Sequence, residues 1–396
     1  MTDIAGLRIL LVEDHGFQRW LMTDLLNGLG ARAIEAVADG KAALNALGAG
    51  EAFDLVVSDL DMPGVDGMEL FRRMAEEGHR AGLIVVSAHE PHLLATVEAM
   101  AREYRLNFVA TIPKPLTATK FEAALAAFVP ASRLEKNGPS FTREEIAASL
   151  RRGEFTAFFQ PKVQIPSGRV HGVEALARWL HPYRGIVPPA AFLGVVESTD
   201  LMGTLTERIV RDSLAACRSW SESGKEISVA VNLSAALLSD PGLADRMTAL
   251  AAEAGVEPRQ VTFEITESAA GQHMGKELEN LSRLRMRGFE LSIDDFGTGY
   301  SSMQRLSNVP FTELKVDQLF VRNAERDAAS LAIVDSSIQL ANRLGMRSVA
   351  EGVETQAQWK MLLGMGCGFA QGHFIGEAMD GMRFIEWLEE RERGCA

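Results

Sequence analysis

Along its length this chain repeats one device: a short apolar run stops at a polar or acidic residue, and a helix-patterned stretch follows. In the first third the runs are "RILLVED", "FDLVVSDLD", "GLIVVSAHE" and "NFVATIPKP". Residues 17–29 and "TATKFEAALAAF", with Thr117 as N-cap, read as helices between and after them. Strands that alternate with helices pack as a doubly wound parallel sheet, because parallel neighbours need a crossover. From residue 142 the device continues with "HGVE", "SVAVN", "VTFEITE", "ELSIDD", "ELKVD", "SVAE" and "GFA", separated by helical stretches over 242–254, 274–287 and 329–344. Residues 142–396 suit an eight-stranded barrel with outer helices, for which about 250 residues is usual. Between the halves, "PASRLEKNGPSF" over 130–141 has the prolines, glycine and mixed charge of a linker. "TREE" at Thr142 then matches a capping box closed by Glu145. The expected class is α/β throughout: a domain over 1–129, the linker, and a barrel over 142–396.

Composition removes several alternatives. Hydrophobic residues make up 47% of the 396, enough for large cores. No apolar run reaches the roughly 20 residues that span a bilayer, and the N-terminus has acids where a signal peptide has small residues. The expectation is a cytoplasmic protein with no membrane partner. A net charge of −13 argues against DNA as a partner. Cys217, Cys367 and Cys395 have neither zinc nor disulfide spacing.

In open α/β sheets ligands bind at the carboxyl ends of the strands. Glu13, Asp14, Asp59, Ser87 and Lys114 all fall at such ends in the first domain. Three converging carboxylates need a cation, and oxygen-only ligands favour Mg²⁺, which also binds phosphate. The motifs "LLVED", "VVSDLDMPGVDG", "VVSA" and "PKP", in this order, resemble a response-regulator receiver domain of the flavodoxin-like type. That resemblance implies that Asp59 is the phosphoacceptor and that Glu13 and Asp14 help hold Mg²⁺. It implies that Ser87 and Lys114 contact the phosphoryl group and that a cognate histidine kinase is the partner. Thr111 stands where receivers often have Tyr or Phe, so the usual aromatic switch has no residue there.

In the barrel, Glu174, Asn232, Glu264, Asp294, Asp295 and Glu351 fall at the ends of five runs, where the strand ends of a (β/α)-barrel form one mouth. Five carboxylates there would repel one another, and all-oxygen ligation points to Mg²⁺ or Mn²⁺. Two such ions about 3.5–4 Å apart form the clamp for in-line displacement at phosphorus. Lys315 can position the attacking water. Glu267, Asp317 and Glu354, taken singly, read as loop-to-helix salt bridges. The doublet Asp294–Asp295 is odd, since adjacent strand residues face opposite ways. The simplest account ends the strand at Asp294 and makes Asp295 the first residue of a turn, with Gly297 and Gly299 bending the chain.

"VEALARW", "VNLS", "FEITES", "IDDFGTGYSS", "LKVD", "AEGVE" and "AQG" resemble, in order, an EAL domain, the cyclic di-GMP phosphodiesterase family. This implies a modified TIM barrel with one antiparallel strand, "TAFFQPKV". It implies hydrolysis of c-di-GMP to linear pGpG with two divalent metals held by the six residues above. Lys315 would orient water; Gln160, Leu176, Arg178, Glu354 and Gln371 would hold substrate. Glu267 would tether the loop after Asp295, and a homodimer or higher homo-oligomer is implied. A receptor with little turnover, signalling through protein contacts, is the alternative. "DDFG" is no kinase motif, since VAIK and HRDxxxxN are missing upstream, and "FGTG" lacks a Walker lysine.

Overall fold

The structure is a computed structural model that describes residues 4–49, 52–104, 106–126, 128, 141–266, 274–297 and 306–394. The chain divides into two compact units, Met1–Ser140 and Phe141–Ala396. Apart from Phe141, the expected linker lies outside the described residues. No helix among the described residues is long and apolar enough to cross a membrane.

The first unit is a sheet in the order β2-β1-β3-β4-β5, made of β1 (Arg8–Val12), β2 (Ala33–Val37), β3 (Leu55–Asp59), β4 (Gly82–Ser87) and β5 (Asn107–Pro113). Every pairing is parallel. β3 and β4 are buried along their whole length, which is why they read as unbroken apolar runs rather than alternating ones. On one face Ile9, Leu11, Val57 and Ile84 pack against Met22, Leu26 and Phe121. On the other, Leu10, Val12, Val56 and Val85 pack against Ala43, Leu70, Phe71 and Val97. The order reverses between β1 and β3, so their carboxyl ends flank the switch-point crevice. The run "AIEAV" of β2 escaped the apolar-run reading because this edge strand has no fully buried residue.

The second unit holds β6 (Phe155–Gln164), β7 (Val170–His181), β8 (Gly185–Val187), β9 (Ser228–Asn232), β10 (Val261–Thr266), β11 (Glu290–Phe296), β12 (Glu313–Val316), β13 (Arg347–Ala350) and β14 (Phe369–Gln371). The order β6-β14-β13-β12-β11-β10-β9-β7 closes through a β6–β7 pairing, and β8 extends β7 as a hairpin. β6 is antiparallel to both its neighbours, while the other barrel pairings are parallel. This is a closed eight-stranded barrel with one inverted strand, as "TAFFQPKV" led us to expect. The helix Arg143–Arg152 precedes it. Thr142 accepts the Glu145 N–H at 3.2 Å, while the Glu145 carboxylate faces His181 at 3.5 Å. The shell between barrel and helices is apolar and aromatic, with Phe155, Trp179, Phe192, Phe263 and Phe289 buried in it.

The barrel interior is not apolar throughout. Lys162 of β6 donates to both carboxylate oxygens of Glu313, at 2.8 and 2.9 Å. The Arg347 Nε adds a bond to Glu313 at 3.2 Å. Glu313 and Arg347 open β12 and β13, so this pair closes the floor of the barrel opposite the mouth.

Candidate active site

The aspartate doublet is placed by a β-bulge. Along the β11–β12 pair, Ile293 aligns with Leu314 and Phe296 with Val316, so Asp294 and Asp295 together oppose Lys315. The extra residue breaks the pleat alternation. Asp295 takes up the change with φ 54°, a left-handed conformation at a non-glycine residue. Such backbone costs about 1 kcal/mol or more, and it survives where surrounding structure enforces it. This corrects the expected turn: the strand runs on to Phe296, and Asp295 is a bulge residue inside it.

Opposite the bulge lies Lys315, almost wholly buried. Its Nζ reaches Glu351 at 2.6 Å, Glu264 at 2.9 Å, Asp294 at 3.0 Å and Glu174 at 3.4 Å. These acids come from β7, β10, β11 and the residue after β13. Burial works against the lysine's charge, but the carboxylates outweigh it and hold its pKa well above the ordinary value. One ammonium is too little for them. Burial, with Glu174 and Asp294 nearby, raises Glu264 well above the usual carboxylate range. Burial likewise pushes Glu351 up to about 8. Burial, Asp294 and a hydrogen bond with Asp317 push Asp295 up to about 7. Glu174 goes the other way: burial opposes its charge, but Lys315, Gln371 and Asn232 hold its pKa below the ordinary value.

The donor set suits a divalent cation. Carboxylate oxygens of Asp294, Asp295 and Glu351 lie within 4.8 Å of one another. The Oε1 of Glu264 is buried with no hydrogen-bond partner among the described residues, as a ligand atom would be. Hard oxygen donors with surplus negative charge fit Mg²⁺ or Mn²⁺.

The amides organise the rest of the mouth. Asn232 donates to Glu174 at 2.9 Å. Gln371 donates to Glu174 at 2.5 Å and to Gln160 at 2.9 Å. Arg178 lies 5.9 Å from the Phe158 ring centroid. Leu176 and Asn232 line a cavity of about 590 Å³ that also includes Leu193, Glu197 and Met202. Glu354 pairs with Arg322 at 2.6 Å. Asp317 caps the helix Gln318–Asn323 by accepting the Leu319 N–H at 2.6 Å. Glu267, like Gly299, lies outside the described residues.

In the first unit Lys114 donates to Asp59 at 2.7 Å and to Glu13 at 3.2 Å. Oxygens of Glu13, Asp14 and Asp59 gather within 4.8 Å. Burial and the Asp59 charge raise the Glu13 pKa. Ser87 is buried on the neighbouring strand end, its Oγ accepting the His89 N–H at 3.1 Å. Sequence reasoning named these five residues. It did not name Arg19, whose guanidinium bonds the backbone oxygens of Glu13 and Asp14 at 2.7 and 3.1 Å.

Two family models match. One, described as the response regulator receiver domain, covers residues 9–126. The other, the EAL domain, covers residues 143–378. The chain belongs to the EAL domain family. The full receiver–EAL arrangement also appears in a relative: the chain is 34% identical over 387 residues to the cyclic di-GMP phosphodiesterase RocR of Pseudomonas aeruginosa, covering 96% of this chain and 98% of RocR. It is 37% identical over 236 residues to the bifunctional diguanylate cyclase/cyclic di-GMP phosphodiesterase MucR of the same organism, covering 59% of this chain and 34% of MucR. Among solved structures, the PaMucR phosphodiesterase in complex with c-di-GMP aligns with a TM-score of 0.58 at 36% identity, over 61% of this chain and 98% of that one. The triplet that names the EAL family is Glu174–Ala175–Leu176 here. Its acid sits in the Lys315 cluster and its leucine lines the cavity.

Proposed function

We propose that this chain is a response-regulator phosphodiesterase that hydrolyses c-di-GMP to linear pGpG, under control of phosphorylation at Asp59. The observation that carries the reading is the convergence of Glu174, Glu264, Asp294 and Glu351 on Lys315 at the barrel mouth, beside a bulge that adds Asp295. With Asn232 these residues would hold two divalent ions, Mg²⁺ or Mn²⁺. When bound, the ions neutralise charge on the phosphodiester and activate water.

The chain's own groups do the rest. Lys315 orients the attacking water. A fully charged lysine is a poor base, so activation of the water falls to the ions. Arg178 takes a phosphate oxygen. Gln160 and Gln371, already bonded to each other, fix the nucleotide together with Leu176 and Glu354, and Glu267 tethers the loop that follows the bulge. In the receiver, Glu13 and Asp14 would hold Mg²⁺ beside Asp59, which takes the phosphoryl group from a histidine kinase, and Ser87 and Lys114 contact that group. The protein works in the cytoplasm as a homodimer or higher homo-oligomer.

The test is hydrolysis by the full-length protein with Mg²⁺ and c-di-GMP, with products separated by chromatography, alongside Glu174→Ala. Conversion to pGpG by the wild type alone supports the reading. Tight binding without any pGpG would replace it with the low-turnover receptor.

A further inference from the structure

The short helix Gln318–Asn323 lies between two parts of the mouth and touches both. Gly297, directly after the bulged strand, packs so closely on it that a Cβ there would meet Phe320 at 2.9 Å. Gly352, directly after Glu351, has φ +62° and a Cβ there would meet Gln318 at 2.5 Å. Both close approaches require glycine. From the last turn of this helix Arg322 reaches Glu354 at 2.6 Å.

Exposed ion pairs are usually weak, because two long side chains must be ordered to form them. Here the backbones that carry the two side chains are already fixed. The Glu354 and Thr355 N–H groups both donate to the buried Gln358 Oε1, at 2.7 and 3.1 Å. Thr355 completes a capping box with Gln358. The helix is pinned at its other end by Asp317. Both backbones are therefore fixed, and what the pair still has to order is the side-chain torsions of Arg322 and Glu354.

We propose that Arg322 is a positioning residue, which holds the Glu354 carboxylate in the orientation that receives the nucleotide; this rests on the phosphodiesterase reading above. Arg322 acts through Glu354 and touches no reacting atom. Its removal therefore weakens nucleotide capture and spares turnover and folding.

The experiment compares Arg322→Ala, Arg322→Lys, Glu354→Ala and the double alanine variant of the full-length protein. It measures kcat and KM separately, with thermal unfolding as the folding check. Arg322→Ala should raise KM about fivefold with kcat unchanged, the size expected when one ordered contact is lost. Arg322→Lys should recover part of the loss. The double variant should match Glu354→Ala, since the two residues form one unit. An unchanged KM in Arg322→Ala overturns the proposal, and so do additive losses in the double variant, which would put Arg322 on the nucleotide itself. If the wild type does not turn over, the phosphodiesterase reading fails by itself. The same four comparisons are then made as c-di-GMP affinities by calorimetry in Ca²⁺. Equal affinities of wild type and Arg322→Ala, or no binding by any form, overturn the proposal.

Discussion

Replacing Glu313 by Gln should cost the barrel roughly 3–4 kcal/mol at neutral pH. The side chain has no exposure, and both its oxygens are bonded to Lys162, one of them also to Arg347. Burial by itself would raise the carboxyl's pKa, but the two cations outweigh it and hold it at about 2 rather than 4.5. At ~1.4 kcal/mol for each tenfold, that difference is worth roughly 3–4 kcal/mol. The direction follows from the sign of the shift. A carboxyl whose folded pKa is depressed contributes fully above its unfolded value, here 4.5, and the contribution fades as pH falls towards 2. Glutamine keeps the shape but leaves Lys162 buried without its counter-charge, a loss of roughly 3–5 kcal/mol in comparable pairs. Urea unfolding followed by tryptophan fluorescence measures this, because Trp179 and Trp220 are buried in the barrel shell. Below pH 4.5 the wild-type curve should fall towards that of the variant. Replacing both partners with Lys162→Met and Glu313→Leu should recover most of the loss. Equal stability of wild type and Glu313→Gln at pH 7, or parallel curves from pH 6 to pH 2, would refute the assignment.

Asp294→Asn should lower c-di-GMP turnover by at least about 100-fold while circular dichroism stays unchanged, because it removes charge from the mouth and no packing. Asp295→Asn should fold as stably as wild type, since Asn tolerates positive φ. Asp295→Val should lose about 1–2 kcal/mol more in urea unfolding, because a β-branched side chain is strained there. A chelator should stop hydrolysis, and excess Mg²⁺ or Mn²⁺ should restore it, in a timed product assay. In the receiver, Asp59→Asn should abolish labelling by a small phosphodonor detected by mass spectrometry; labelling equal to wild type would exclude Asp59 as the acceptor.

What the sequence made legible, and what it hid, divides along the difference between local and paired information. Asp294 and Glu351 follow apolar runs, while Glu174 and Glu264 interrupt them inside β7 and β10, and a barrel mouth is where acids from different strands meet. Lys162 and Glu313 are 151 residues apart, and neither stands out locally; only the inversion of β6 brings the lysine over the floor. Arg322 is hidden in the same way, as an ordinary charged residue of a short helix until that helix is seen against Gly352 and Glu354. β2 carries no apolar-run signal because an edge strand need not bury either face. The doublet Asp294–Asp295 falls between these cases. Its violation of the two-residue period was visible, but the remedy was a property of the pair β11–β12, where two residues meet one. A turn and a bulge both relieve the violation, and they differ in consequence. A turn residue is free to move away from the strand, whereas a bulge residue stays tied to the ladder on both sides, through Ile293–Leu314 and Phe296–Val316. Asp295 is thus held beside Lys315 by the barrel itself.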